Sequence, residues 1–247
     1  MEWTQKDGVE WLEAELPGAR AVFSCRIGGV SEAPYDSMNL GILTDDDPEA
    51  VQANRLKLAA ALGIDPESVA MGLQVHGGDF AFHDAPLDHS HFAHPGAPPD
   101  EVDGQLTDRN DLALLVLVAD CLPVALSGEG GTAMLHCGWR GLASDLIPDA
   151  TKRIGAAHAA VGPGIGPCCF EVGDEVFEAF SDYGEDVRAG RNLDLWKIAR
   201  RALERAGVEE IEVAEVCTYC ESERFYSHRR DHGITGRQAG ITIPTGS

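Results

Sequence analysis

The segment from Leu112 to His136 constrains this chain more than any other. Its first part, Leu112 to Ala119, is a run of apolar residues that reads as a buried strand and ends at Asp120-Cys121. Leu122 to Ser127, the turn Gly128-Glu129-Gly130-Gly131, and Thr132 to His136 then read as a β-hairpin. Placing Ser127 opposite Thr132 sets Val124 against Leu135, Pro123 against His136 and Cys121 against Gly138. In that register Cys121 and His136 are diagonal neighbours on one face, with α-carbons roughly 7–8 Å apart. A metal bonded at about 2.3 Å to sulfur and about 2.0 Å to nitrogen bridges such a gap. A slip of one residue would put the two side chains on opposite faces, so the expectation rests on the turn.

Other segments fall into a mixed pattern. Asp47-Pro48 offers a cap and a first-turn proline for a helix carrying Val51, Leu58, Ala59 and Leu62 before Gly63. Asp194 caps a second, with Leu195, Ile198, Ala199, Ala202, Leu203 and Ala206 on one face and Gly207 as its stop. Further helices are expected over 174–180 and 143–154. Strands are expected over 21–24, 69–75, 112–119, 122–127, 132–136, 158–161, 211–216 and 241–243. The elements do not alternate as strict βαβ units, which favours an α+β fold with mixed or antiparallel sheet. The histidine- and proline-bearing stretch 82–99 reads as a long surface loop rather than a linker. There is no internal repeat, and Gly162-Pro-Gly164-Ile-Gly166-Pro lacks dinucleotide-binding spacing.

The formal net charge of −22 argues against nucleic acid or an anionic membrane surface as partner. Lys6, Lys57, Lys152 and Lys197 are the only lysines, so an anion site has to be built from arginines. No apolar run approaches the roughly 20 residues of a membrane span. The acidic N-terminus lacks the layout of a secretory signal, and a cytoplasmic protein is expected.

Seven cysteines in such a chain point to metal or catalytic roles rather than a disulfide framework. Cys217 and Cys220 form a lone CxxC, which is a weak zinc signal, and Cys168-Cys169 are adjacent and not readily able to chelate one ion together. His76, Cys121 and His136 are the residues of metal-ligand type that stand out. Two imidazoles and a thiol would leave a fourth tetrahedral position open, as in catalytic zinc sites. The hairpin brings together Cys121 and His136 but not His76.

Several blocks carry a resemblance. Phe23-Ser24-Cys25-Arg26-Ile27-Gly28-Gly29-Val30-Ser31, Pro34-Tyr35-Asp36-Ser37-Met38-Asn39-Leu40-Gly41, Gln74-Val75-His76-Gly77 and Val102-Asp103-Gly104 come first. Ala119-Asp120-Cys121-Leu122-Pro123-Val124, Gly138-Trp139-Arg140-Gly141-Leu142, Ile165 to Gly173, Ser227-His228-Arg229-Arg230-Asp231 and Thr235-Gly236-Arg237-Gln238 complete the series. In this order they resemble the YfiH-like proteins, also called the laccase-domain or polyphenol-oxidase family and, in some descriptions, peptidoglycan editing factor. The resemblance implies one layered α+β sandwich over residues 1–247 and a zinc held at His76, Cys121 and His136. It also implies phosphorolysis of adenosine, inosine, guanosine and S-methyl-5'-thioadenosine, with hydrolytic deamination of adenosine. Cys25 stands where the family usually has threonine, and Cys137 where alanine is common.

The implied chemistry needs an activated water at C6 of adenine, a proton shuttle and a phosphate site. Asp120 is a candidate shuttle or, equally, a residue that orients a ligand. Arg26, beside Gly28-Gly29, is the first candidate for phosphate, and Arg229 and Arg230 are the second. Asn39 is a candidate for base or ribose, with turn chemistry as its other reading. Trp139 reads as core rather than as a stacking platform. Three rival functions stay open. One is a metal-free amidase or peptidoglycan-precursor hydrolase with Cys121 as nucleophile and His136 as base, a pair used by the bacterial toxin deamidases that the family also resembles. Another is copper-dependent phenol oxidation, for which His89-Ser90-His91 is the only paired-histidine motif. The third is a non-catalytic metal- or partner-binding module. The sequence does not set the oligomeric state.

Overall fold

A computed structural model describes residues 1–96 and 99–245 of the 247. Ala97 and Pro98, within the loop expected over 82–99, lie outside the described residues, as do Gly246 and Ser247. In chain order the first elements are β1 (Glu2–Lys6), β2 (Val9–Leu16), β3 (Ala19–Ser24), α1 (Pro48–Leu62), β4 (Val69–Met71), β5 (Phe80–His83), β6 (Gly104–Thr107) and β7 (Ala113–Val118). The chain continues with β8 (Leu122–Gly128), β9 (Gly131–Cys137), α2 (Trp139–Leu142), α3 (Leu146–Ile154), β10 (Ala156–Val161) and α4 (Asp174–Ala179). It closes with β11 (Arg188–Ala189), β12 (Asn192–Leu193), α5 (Leu195–Arg205), β13 (Glu210–Val213) and β14 (Gln238–Pro244).

Two six-stranded sheets, ordered β1-β2-β3-β14-β7-β4 and β13-β10-β8-β9-β6-β5, form the frame. Both are mixed: most pairs are antiparallel, while β4–β7, β5–β6 and β10–β13 are parallel. The two-residue side-chain period divides the core into layers. On β7, Ala113 and Leu115 pack toward Leu58 and Leu62 of α1, while Leu114 and Val116 face the second sheet. On β8 and β9, Ala125 and Met134 complete that inter-sheet layer. Val124, Leu126 and Leu135 point the other way, onto Leu146, Ile147, Ile198 and Leu203 of α3 and α5. The result is a layered α+β sandwich, α1 over the first sheet and α3 with α5 over the second. Among the described residues, no helix is long and apolar enough to cross a membrane.

The helix signals act as expected at α1. Asp47 accepts from the Glu49 amide, and Gly63 closes the helix at φ 71°. The helix expected from Ala143 starts later, at Leu146. Ala143 closes the short α2, and the Ser144 hydroxyl, bonded to the Gly141 carbonyl, receives the Leu146 amide and restarts the coil. The strand expected over 69–75 stops at Met71. Beyond it the Gln74 side chain donates to the Leu117 carbonyl and accepts from the Leu117 amide, so a side chain replaces the ladder. The strand expected over 211–216 ends at Val213, because Glu215 turns to φ 51°. The stretch expected as a surface loop is partly inside. Phe82 and His83 belong to β5, and Phe92 is fully buried under the Arg55 guanidinium.

Candidate functional site

The hairpin β8–β9 has the register that the turn implied: Ser127 faces Thr132, Val124 faces Leu135 and Pro123 faces His136. Cys121 and His136 therefore sit at the open end of the hairpin, on the side of the inter-sheet layer. Cys137, one residue on, packs into the helix-facing core. Gly138 lies against the thiol; a β-carbon there would come 2.9 Å from Cys121 Sγ and 3.3 Å from His76 Cδ2. His76 arrives from the first sheet, by the short turn that follows β4. One donor atom each from His76, Cys121 and His136 lies within 4.8 Å of the others. The two imidazole centroids are 4.9 Å apart and nearly perpendicular.

A fourth residue holds this arrangement, and it was given no role at the level of sequence. Asp103 is fully buried just before β6. Its Oδ1 accepts from the His76 amide at 2.9 Å, and its Oδ2 from the amides of Val75 at 3.1 Å and Gly77 at 2.6 Å. The same Oδ1 lies 2.7 Å from His136 Nδ1. The 75–77 turn thus wraps around a carboxylate, and His76 takes φ 60°, a left-handed conformation that such a nest of amides offsets. An ionised carboxylate only accepts, so Nδ1 of His136 carries the proton and Nε2 is the nitrogen left for a ligand. One buried group thereby fixes one histidine through its backbone and the other through its ring. The only signal in the sequence was Val102-Asp103-Gly104, one block among many.

Charge follows from geometry. Burial alone would raise the Cys121 thiol; the His136 charge, then hydrogen bonds from His136 and His76, pull it down to about 6. Burial alone would lower His136; the Cys121 thiolate and the Asp103 hydrogen bond push it up to about 9. Burial would likewise raise Asp103, but the hydrogen bonds from His136 and the Gly77 amide bring it below the ordinary carboxylate value. Burial pushes Cys137 up and leaves it an inert thiol. A thiolate and two neutral-capable imidazoles with one nitrogen pre-aimed are a donor set that suits zinc, and copper shares the preference.

The three donors line a cavity of about 860 Å³, together with Asp120, Trp139, Phe170, Arg229 and Arg237. Asp120 sits at φ 91° with both oxygens taken: Thr218 Oγ1 and the Arg229 amide each donate to it at 2.7 Å. Arg229 reaches the cavity and spends Nη1 on the Glu171 carbonyl. The other anion candidates lie elsewhere. Arg26 pairs with Asp36, donates to the Ser222 carbonyl and stacks on Tyr226. Arg230 pairs with Asp231 and ties down the carbonyls of Thr218 and Phe225. Asn39 is fully buried and organises its own turn, donating to Thr44 and Asp46 and accepting from the amides of Gly41 and Arg237. Three cavity arginines drew no attention in the sequence, Arg55, Arg140 and Arg237, although the last two stand in the quoted blocks. Trp139 lines the cavity instead of sitting wholly in the core. His89 and His91 have ring centroids 4.6 Å apart but belong to no three-ligand cluster among the described residues.

Comparison with known proteins agrees with this architecture. Residues 20–244 match the family described as multi-copper polyphenol oxidoreductase laccase. The purine nucleoside phosphorylase YfiH of Escherichia coli K12 is 38% identical over 239 residues, covering 91% of this chain and 93% of that protein. The crystal structure of Bacillus licheniformis hypothetical protein YfiH superposes with a TM-score of 0.90 at 28% identity, over 98% of this chain and 99% of that one. YlmD from Geobacillus stearothermophilus gives 0.87 at 31% identity, over 99% of each chain. By sequence and by fold, this chain belongs to the YfiH, or laccase-domain, family.

Proposed function

We propose that residues 1–247 form one catalytic domain, a zinc-dependent purine nucleoside phosphorylase, cleaving adenosine, inosine, guanosine and S-methyl-5'-thioadenosine to base and ribose 1-phosphate, and deaminating adenosine. The observation that carries the reading is the Asp103 clamp. It holds the His76 backbone and the His136 ring beside the Cys121 thiol, at a cavity that also presents guanidinium groups. Relatives with near full-length matches are named purine nucleoside phosphorylases, which supports a purine nucleoside as the substrate class.

His76, Cys121 and His136 would hold the zinc, which when bound supplies Lewis-acid polarisation beside the purine. The remaining roles fall to the chain itself. Arg229 and Arg237 line the cavity and are the groups assigned to phosphate, in place of Arg26 and Arg230, which do not line it. Apolar side chains such as Leu117, Ile165, Phe170 and Leu195 exclude water around the base. Trp139 offers a face for stacking. Asp120 is assigned an orienting role, since its two oxygens anchor the segments bearing Thr218 and Arg229.

The test is a nucleoside panel with and without phosphate on protein of known metal content. Inosine cleavage should require phosphate and yield ribose 1-phosphate; release of free ribose without phosphate would mean hydrolysis instead. A second reading has its own observation. The depressed Cys121 thiol beside a raised His136 is also the signature of a nucleophile and its base, an amidase pair that needs no metal. His76→Ala separates the two: the zinc reading expects loss of activity, the nucleophile reading its retention.

A further inference from the structure

Four of the seven cysteines take no part in the site above, yet they meet. The amides of Cys169 and Phe170 both donate to the Gly166 carbonyl at 3.0 Å, so the chain winds tightly through Cys168 and Cys169. The Glu221 amide donates to the Cys217 carbonyl at 3.0 Å, a helical turn that brings Cys220 back over Cys217. A bridge between Gly164 and Cys217 sets the two turns side by side. Adjacency of Cys168 and Cys169, which spoke against joint chelation in the sequence, is overcome by this winding. All four sulfurs lie within 4.8 Å of one another. Cys220 Sγ is 3.6 Å from Cys168 Sγ and 3.4 Å from Cys169 Sγ.

Tetrahedral zinc bonded to sulfur at about 2.3 Å requires sulfurs about 3.8 Å apart, close to these separations. A disulfide would use only two sulfurs at about 2.05 Å and leave two behind. Cys220 stands almost equally near two partners and singles out neither. The Gly166 amide donates to Cys217 Sγ at 3.2 Å, the outer hydrogen bond that a metal thiolate commonly receives. We propose that Cys168, Cys169, Cys217 and Cys220 form a second zinc site, a closed tetrathiolate with a structural role. Each thiol gives its proton to solvent as the zinc–sulfur bond forms, with no change of oxidation state.

The position explains the role. One turn leads into Phe170 and Glu171, the other into Thr218; Phe170 lines the cavity, and Thr218 donates to Asp120. The ion would fix the distance between these walls while staying outside the cavity, which none of the four cysteines lines. The inference does not depend on the nucleoside reading.

The test begins with Cys121→Ala protein purified anaerobically, in which the first site lacks its thiolate. It should retain about one zinc per chain, and its cobalt-exchanged form should show the intense thiolate-to-metal charge transfer of a sulfur-only site. Cys168→Ser/Cys220→Ser in the otherwise native chain should lose one zinc and keep the other. Wild-type protein gives an answer that needs no variant to fold. Cys168 and Cys220 are exposed, so their alkylation should be slow with zinc bound and fast after a chelator. Equal rates with and without chelator, recovery of either residue as a disulfide, or a metal-free Cys121→Ala protein would overturn the proposal. Failure of the first site would appear differently, as zinc retained by sulfur alone in the wild-type chain.

Discussion

The two sulfur-bearing clusters of this protein are built on opposite plans. The first takes His76, Cys121 and His136 from three segments on two sheets and leaves room for a fourth ligand facing the cavity. The second takes four cysteines from two tight turns and closes on itself. The first depends on a buried carboxylate, Asp103, that holds its two histidines; the second depends on turn winding and backbone amides at the Cys217 sulfur. Mixed nitrogen and sulfur donors with an open side serve chemistry, whereas a sulfur-only shell serves shape. The difference teaches that a zinc-binding residue type says little until its outer partners are known.

The largest expected contrast comes from removing ligands. Cys121→Ala or His136→Ala should abolish zinc at the open site and phosphorolysis with it, while thermal stability falls little. Cys168→Ser/Cys220→Ser should do the reverse, lowering Tm first. Calorimetry and inosine turnover on the same samples decide this, and matching losses in both variants would erase the distinction. Next comes the outer carboxylate. Asp103→Asn keeps the shape but removes the charge that holds His136, and should weaken zinc binding about 10–100-fold by competition with a chromophoric chelator. An unchanged affinity would mean that the nest of amides, not the charge, sets the site.

A subtler effect is one of pH. In metal-free protein Cys121 titrates near 6, well below an ordinary thiol, so it takes up a proton only as the pH falls through about 6. Its alkylation rate should rise with an apparent pKa near that value. His136→Ala removes the positive charge that lowers it and should move the profile upward. An unmoved profile would separate the thiolate from His136. The smallest change is Gly138→Ala, whose added carbon meets Cys121 Sγ at 2.9 Å. It should raise the zinc dissociation constant without unfolding the protein, as measured by the same chelator competition.

The sequence made part of this legible. The period of two along β8 and β9, with a glycine turn between them, sufficed to place Cys121 beside His136. Nothing local places His76, because Gln74 leaves the ladder and the next residues bend around a carboxylate 27 residues away. Asp103 looks like any turn aspartate until the groups that donate to it are counted. The cysteine turns are separated by about 50 residues and meet only through β10 and its neighbours, so the lone CxxC understated them. Strands β1 and β2 escaped for a related reason. β1 is largely exposed on both faces, Trp3 included, and β2 buries Trp11 and Leu12 on opposite faces between glutamates, which breaks simple alternation. Arg26 and Asn39 suggested binding because their residue types suit it; Asn39 is spent on buried hydrogen bonds in its own turn, and Arg26 on Asp36 and the Ser222 carbonyl.

The most direct test is a zinc titration of chelator-stripped protein, scored by phosphate-dependent release of ribose 1-phosphate from inosine. The account predicts no release from metal-free protein and recovery as zinc returns to His76, Cys121 and His136, with none in His76→Ala. Full phosphorolysis by the metal-free chain would contradict it.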